Sequence, residues 1–290
     1  MKKSNIFIST VAFRGKLIYE IIEIAKTHQL NIEFSSGLPY HHDMDNIFLK
    51  CPVNKLPHNY FPAPEVPFVL NLASTNTNIR KQSIEMCKKG ITLAKEAGSL
   101  FYAAHAGFCI DPNPEELGRQ LSVNVALDKN NHWDIFISSI KEILVHSERL
   151  QLPFIIENNV ITEFNLTATL ENPLFCCDSY ELLKLNKVIN NPLFGILLDT
   201  AHLKVSAKTL SLNLKDEFIN LIPIVKAVHH SDNEGLKDSN NPFDEHYWCG
   251  RLLSRLNDIP HVIEVKDIEI TQIKNQINLL QNFVQNESKN

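Results

Sequence analysis

The stretch FGILLDTAH (194–202) is the most informative part of this sequence. It begins as an apolar run typical of a buried strand, and it then reaches Asp199 and His202. A charged carboxylate is costly to bury unless it gains a compensating partner. We therefore expect a buried strand that delivers ionisable side chains to a site at its carboxyl end.

Similar short runs, rich in β-branched and aromatic residues, alternate with longer amphipathic segments along the whole chain. This alternation is typical of a parallel sheet built from βα units, and eight such units make a (β/α)₈ TIM barrel. The predicted strands are 5–13, 30–36, 54–60, 99–107, 153–159, 194–202, 225–232 and 261–267. Apolar residues at helical spacing predict covering helices at 16–28, 79–98, 133–151 and 268–284.

Length and composition fit one large domain. The 290 residues are 44% hydrophobic and 21% charged, which suits a single barrel domain spanning 1–290 with a frayed polar tail at 285–290. A net charge of −5 predicts no basic surface that would track nucleic-acid phosphates. The six cysteines form no CxxC pair, which predicts reduced thiols in a cytoplasmic protein. No run approaches the roughly 18 apolar residues of a membrane helix.

Ionisable residues cluster at the ends of the predicted strands. Seven of the eight strands end in, or close to, a glutamate, histidine or aspartate. The carboxyl ends of barrel strands converge on one mouth, where such folds place their active sites. The residues concerned are Glu33, His58, His105, Glu157, Asp199 with His202, His229 and Glu264.

A divalent cation is the simplest partner for carboxylates that meet at one mouth. Glu157, Asp199 and Glu264, with the imidazole of His229, come from four strands and suit Mn²⁺, Zn²⁺, Co²⁺ or Mg²⁺. Period-two alternation points all three acids into the barrel. Alternation also lets only one of His229 and His230 face inward, and we favour His229. The sequence thus predicts a metal centre, with Mn²⁺ or Zn²⁺ favoured.

Each of these residues also has a purely structural interpretation. A single acid at the end of an apolar strand, such as Glu264, is often a salt-bridged core residue. His58 and His105 are open to a structural role, although both precede tight polar turns, where a metal or substrate contact is as plausible. We interpret Glu33 as a substrate-side or structural acid. Four separate strands place such residues at the same end of the barrel, and this agreement favours a metal site for the set as a whole.

Four motifs stand in an order that resembles the xylose-isomerase-like superfamily: PFIIENN, LLDTAHL, HHSDNEG with its following DEH, and VIEV. The superfamily includes sugar isomerases, tagatose-3-epimerase-type enzymes and endonuclease IV, and the resemblance spans nearly the whole chain. It implies a TIM barrel with a metal at its mouth. It does not by itself choose among the activities, because one fold hosts several.

The resemblance to the epimerase-type members implies that the four predicted ligands hold one metal and that Glu157 and Glu264 act as an acid/base pair. Such a pair removes and returns a proton on a carbon beside a carbonyl group, through an enediolate. His202 is expected to contact a substrate oxygen. The epimerase pattern has an arginine six residues after the metal-binding histidine, where this chain has Gly235. The resemblance therefore does not extend to recognition of one ketohexose.

Substrate contacts are expected from two further pairs of residues. Tyr60 and Phe61, in the proline-rich segment 58–74, are expected to pack on a sugar or its substituent, and Asn158 and Asn159 to bind hydroxyl groups. The expected partner is a small-molecule sugar. The sequence leaves the oligomeric state open, a homodimer included.

The endonuclease IV pattern offers a competing interpretation, in which a metal cluster hydrolyses a phosphodiester at abasic DNA. Its nine ligand types map onto His58, His105, Glu157, Asp199, His202, His229, Asp244, His246 and Glu264. Against it, the loop SSGLPYHHDMDN (35–46) has no Arg or Lys to grip a DNA backbone. We favour sugar chemistry over hydrolysis. A third interpretation, a sugar-binding barrel without turnover, is disfavoured because both Glu157 and Glu264 are retained.

Overall fold

The structure is a computed structural model that describes residues 5–122 and 127–285. Eight parallel strands form one sheet, and each lies inside a stretch predicted from the sequence. They are β1 (Ile6–Ser9), β2 (Asn31–Phe34), β3 (Lys55–Pro57), β4 (Tyr102–His105), β5 (Phe154–Glu157), β6 (Phe194–Asp199), β7 (Val225–His230) and β8 (His261–Ile263). Their order is β3-β2-β1-β8-β7-β6-β5-β4. Beyond Gln285, the tail predicted to fray lies outside the described residues.

The sheet closes into a barrel where β3 meets β4. A single parallel bridge joins His58 to Ala103, and the Asn59 N–H donates to the Ala103 carbonyl at 2.7 Å. With this closure the eight parallel strands make the predicted (β/α)₈ TIM barrel, which is confirmed. The closing contact lies just past β3, at the carboxyl ends of the strands.

Helices cover the outside of the barrel. They are α1 (Ile18–His28), α2 (Met44–Lys50), α3 (Thr77–Glu96), α4 (Lys129–Leu150), α5 (Ser179–Ile189), α6 (Thr200–Thr209), α7 (Leu214–Leu221) and α8 (Ile270–Gln285). The four predicted helices correspond to α1, α3, α4 and α8, whose apolar stripes face the strands. Among the helices in the described ranges, none is both long and apolar enough to cross a membrane.

The inside of the barrel is filled by apolar side chains from seven strands and the residue before β4. They are Phe7, Leu56, Phe101, Ala103, Ile155, Leu197, Ala227 and Val262. Because side chains on a strand alternate with a period of two, the next inward positions lie one level closer to the carboxyl mouth. Those positions hold Ser9, Glu33, His58, His105, Glu157, Asp199, His229 and Glu264. We call these eight residues the mouth ring.

The segment 58–74 lies over the mouth and is held in place by one buried asparagine. The Asn71 carboxamide oxygen accepts from the backbone N–H groups of Ala73 (3.0 Å) and Phe108 (2.9 Å). Its nitrogen lies 2.9 Å from the Ile110 carbonyl and 2.8 Å from the Asp111 carboxylate. Asn71 therefore ties this segment to the loop after β4.

Replacing this asparagine should loosen the mouth. In Asn71→Ala, buried backbone groups lose their partners, and we expect the free energy of unfolding to fall by about 3 kcal/mol. Urea unfolding measures this change. Asn278→Ala, at an exposed position of α8, is the control and should leave stability within about 0.5 kcal/mol. Equal stability of the two variants would contradict the role given to Asn71.

Candidate active site

The Glu157 carboxylate lies at the centre of the mouth ring. Its Oε2 is 2.6 Å from His58 Nε2 and 3.2 Å from His105 Nε2, and its Oε1 is 3.4 Å from His229 Nδ1. The residue is fully buried. Burial favours the neutral acid, but the imidazoles of His105, His58 and His229 outweigh it and hold the pKa of Glu157 well below its ordinary value. Glu157 is thus kept ionised inside the barrel.

His229 lies between two acids from other strands of the ring. Its Nε2 is 2.9 Å from Glu33 Oε2, and its Nδ1 is 2.9 Å from Glu264 Oε2. Burial favours the neutral imidazole, yet Glu33, Glu264 and Glu157 outweigh it and raise the pKa of His229 well above its ordinary value. The carboxylates of the ring therefore require positive charge among them.

Asp199 ends β6 and caps the helix that follows. Its Oδ1 accepts the backbone N–H of His202 at 2.7 Å, as an N-cap side chain does. The Asn158 carboxamide pairs with the Asp199 backbone through both its oxygen (2.7 Å) and its nitrogen (3.0 Å). Burial, partly offset by His202, raises the pKa of Asp199 to about 7. This local geometry leaves Oδ2 of Asp199 facing the ring.

His202 and Asp238 form a pair at the edge of the ring. His202 Nδ1–H donates to the Asn158 carbonyl at 2.9 Å, which turns Nε2 towards Asp238 Oδ2 at 3.4 Å. Burial lowers the pKa of His202, but Asp199 and Asp238 outweigh it and raise the pKa well above its ordinary value. The second oxygen of Asp238, Oδ1, is buried without a hydrogen-bond partner.

The ring fits a divalent cation by geometry and by its unsatisfied atoms. Glu157, Asp199, His229 and Glu264 offer ligand atoms that all lie within 4.8 Å of one another. Glu157 Oε1 and Asp199 Oδ2 are buried without hydrogen-bond partners, which is costly unless a cation contacts them. Two overlapping groups satisfy the same spacing: Glu33, His58, His229 and Glu264, and His58, His105 and Glu157.

Glu33 and Asp238 are site residues that sequence reasoning undervalued or missed. Glu33 touches His229 and leaves Oε1 unsatisfied, 3.9 Å from His58 Nδ1. A signal for it existed, because Ile32 and Phe34 face the outer core and period two then turns Glu33 inward. Asp238 lies on a loop after β7, where no periodicity predicts which way a side chain points.

Three of the expected substrate contacts have other partners within the protein. Phe61 is fully buried and packs against Phe34 and Phe48, so it does not reach a substrate. Asn158 is occupied by the Asp199 backbone, as described above. The Asn159 nitrogen donates to carbonyls of the loops after β4 and β5. The amide groups of the two asparagines thus hold the backbone, and Asn159 also borders a cavity above the ring. Their binding of substrate hydroxyl groups stays a prediction.

Asp244 and His246 also lie outside the ring. Both are exposed, the His246 side chain by 85%, and the Asp244 carboxylate accepts the His246 backbone N–H at 2.8 Å. They occupy a turn before a short 3₁₀ helix (Gly250–Leu256) rather than a strand end. The nine-ligand arrangement of the endonuclease pattern is therefore not assembled in full, and a metal or substrate contact by these two residues stays a prediction.

A cavity of about 630 Å³ opens above the ring. Glu157, Glu264, His105 and His202 reach it from below, and Tyr60 lines its wall as expected for a substrate contact. Both carboxylates proposed for acid/base work therefore face a space large enough for a small molecule.

The fold and the ring together define a parallel barrel with a buried carboxylate and imidazole site at its carboxyl mouth. Residues 14–278 match the family described as xylose isomerase-like TIM barrel. The chain belongs to that family, which confirms the resemblance stated from its motifs. No curated protein sequence matches the chain.

Solved structures similar to this chain include sugar epimerases. A D-tagatose 3-epimerase-like protein is 19% identical, with a TM-score of 0.72 over 97% of both chains. A D-psicose 3-epimerase from Clostridium cellulolyticum H10, solved with D-tagatose, is 13% identical, with a TM-score of 0.63 over 97% of this chain and 95% of that one. A Thermus thermophilus protein soaked with ZnCl₂ is 15% identical, with a TM-score of 0.66 over 97% and 98%. At these identities the likeness concerns the fold.

Metal binding by the ring has a direct test. We expect the wild-type protein to bind Mn²⁺ or Zn²⁺ at one ion per chain, and an ion at about 100-fold its Kd to stabilise the fold by about 2.7 kcal/mol. Asp199→Asn should lose most of this stabilisation. Asp244→Asn, which changes an acid outside the ring, should keep it. Elemental analysis and thermal unfolding measure both quantities, and three ions per chain would contradict the single-site description.

His230, next to His229, faces the opposite side of β7 and joins a second buried histidine. His230 Nε2 lies 2.8 Å from His261 Nδ1, and His261 Nε2–H donates to the Leu256 carbonyl at 3.0 Å. Burial lowers the pKa of His230 well below its ordinary value, and burial lowers that of His261 to about 4. Both rings are therefore neutral in the folded protein.

This pair should make the fold sensitive to acid. Below about pH 6.5 the unfolded chain takes up protons that the folded pair cannot, so stability falls with pH down to about 4. For His261 the loss is about 1.4 kcal/mol per pH unit. We expect His261→Gln to reduce the difference in unfolding free energy between about pH 7 and about pH 5. His42→Gln, at an exposed position, is the control, and an unchanged slope in His261→Gln would contradict the assignment.

Proposed function

We propose that the protein is a metal-dependent isomerase or epimerase of a sugar or sugar derivative. It would remove a proton from a carbon beside a carbonyl group and return it, with Glu157 and Glu264 as the acid/base pair. One observation carries the proposal: these two carboxylates come from strands on different sides of the barrel, approach the same His229 nitrogen, and both reach the cavity.

The environment of Glu157 suits the base of such a pair. His58 and His105 hold its Oε2, and the carboxylate reaches the cavity from below. The surrounding imidazoles keep the carboxylate ionised, the form that a general base requires. Glu264 is less enclosed, with 15% of its side chain exposed, so its proton can exchange with water.

The reaction also needs a group that polarises the carbonyl and groups that bind the sugar hydroxyls. A divalent cation held by Glu157, Asp199, His229 and Glu264 would polarise the substrate carbonyl and stabilise negative charge on its oxygen. In this proposal His202 and Asp238, which both line the cavity, would bind hydroxyl groups of the substrate at its edge. Mn²⁺ or Zn²⁺ is our preferred ion, from the mixture of carboxylate and imidazole ligands.

The endonuclease interpretation is disfavoured, because Asp244 and His246, two of its nine ligands, are exposed in a turn away from the ring. A sugar-binding barrel without turnover would not need two carboxylates directed at one cavity. The single domain over 1–290, the cytoplasmic location and the choice of oligomeric state stay predictions from the sequence.

Glu264→Gln separates acid/base chemistry from folding. The change keeps the size of the side chain and removes its proton transfer, so we expect turnover to fall by roughly 10²- to 10⁴-fold with thermal unfolding unchanged. Incorporation of solvent deuterium beside the carbonyl group, followed by NMR over a panel of ketoses and their derivatives, measures turnover.

The control is Glu65→Gln, which alters an exposed acid of the mouth segment and should retain full exchange. Metal content is measured in both variants, so that loss of the ion is distinguished from loss of proton transfer. Full exchange in a metal-loaded Glu264→Gln protein would rule out the two-carboxylate mechanism.

A further inference from the structure

The two sides of the cavity differ in chemistry. On the side of β7 and β8, its wall includes Lys237, Asp238 and Lys266. On the side of β4 and β5, it is built mainly from apolar side chains. Because β3 and β4 close the barrel, β4 stands opposite β8. A substrate lying over Glu157 and Glu264 would therefore have a polar edge and an apolar edge.

The apolar side is formed by three segments that converge from different parts of the chain. They are the mouth segment 58–74, the loop after β4 and the loop after β5. The side chains that they contribute are Phe68, Leu70, Phe108, Leu121, Phe164 and Leu174. We call this set the apolar chamber.

The chamber is held by its own structure. Phe108 and Leu174 form an antiparallel bridge between the two loops, supported by Cys109 N–H donating to the Pro173 carbonyl at 2.7 Å. Leu121 and Leu174 of the wall also belong to a small apolar cluster, separate from the main core, that includes Ile110, Ile161 and Cys177. Asn71 fixes the third segment, as described above. The wall is thus pre-formed rather than assembled by chance contacts.

The outer edge of the chamber leaves large apolar side chains in contact with water. Phe164 is 46% exposed and the neighbouring Leu117 is 48% exposed, although both line the cavity. Sugar hydroxyl groups placed against such a wall would lose hydrogen bonds to water without replacement. An apolar group placed there would remove both surfaces from water, which is favourable. The wall is therefore matched to a part of the substrate that is not a sugar.

We propose that the substrate is a ketone-bearing sugar that carries an alkyl or aryl substituent, and that the apolar chamber binds this substituent. The proposal rests on the proposed function, and it adds the chemical class of the substrate. The sugar carbons lie over Glu157 and Glu264, with Asp238 on the polar side. One C–H bond breaks and re-forms during the reaction, and the bond to the substituent stays intact.

Calorimetric titration of the metal-loaded protein tests the chamber without turnover. Methyl and phenyl β-D-glucopyranoside serve as matched probes, and we expect the phenyl compound to bind about tenfold tighter or more. Phe164→Ser and Leu117→Ser should each reduce this preference several-fold. Tyr180→Ser, which alters a side chain of α5 that is 73% exposed and outside the cavity lining, should keep it. Equal affinities for the two probes, or no binding of either, would overturn the chamber's role.

Deuterium exchange separates this proposal from the function on which it rests. Matched ketone-bearing sugars are compared with a methyl group, with a phenyl group, unsubstituted and phosphorylated. We expect the highest kcat/KM for the phenyl compound, and in Phe164→Ser a raised KM with an unchanged kcat. A higher kcat/KM for the unsubstituted or phosphorylated sugar would overturn the inference and leave the proposed function standing. Exchange in none of the compounds would instead refute the proposed function. The calorimetric titration would then still test whether the chamber binds the phenyl group.

Discussion

The convergence of four carboxylates at one level of the barrel is the constraint on which the rest of the structure depends. Glu157, Asp199 and Glu264 are inward-facing because their strands present inward apolar residues two positions earlier, and Glu33 is inward-facing because its neighbours Ile32 and Phe34 face the outer core. Such acids are tolerated only where positive charge and hydrogen-bond donors surround them. Imidazoles from other strands meet the need in part, and the unsatisfied oxygens that remain are where a cation fits. Barrel packing and the clustering of these acids and imidazoles are therefore consequences of the same register.

Asparagine carboxamides fix the backbone around this ring. Asn71 joins the mouth segment to the loop after β4, Asn158 holds the end of β6, and Asn159 joins the loops after β4 and β5. Each side chain offers both donors and an acceptor, so one residue can satisfy several loop groups that no strand or helix pairs. The ring itself is formed by strands, whereas the cavity above it is formed by loops held through these amides. The side chains of the ring and the surface of the cavity can thus vary separately.

The sequence predicted the barrel and most of the ring because both follow from short-range periodicity. Alternation along buried strands is a local property, and it indicates which residues share the inward face without knowledge of the rest of the fold. Phe61 shows where this reasoning stops: it adjoins Tyr60, yet its ring belongs to the core while Tyr60 lines the cavity. Asp244, His246 and Asp238 lie on loops, where side-chain direction depends on tertiary contacts. Motif order placed the first two in a metal cluster, but their turn lies at the surface.

The closure of the barrel has a consequence for how the molecule can change over time. Only one bridge joins β3 to β4 in the described sheet, and the residue that makes it, His58, also contacts Glu157. His58 thus contributes both to the closure of the barrel and to the mouth ring. A mutation that opens this closing bridge would also displace an imidazole from the ring. Changes at the bridge would therefore affect the site as well as the fold. The loops beyond this bridge do not combine barrel closure with a ring contact, so their sequences are freer to diversify.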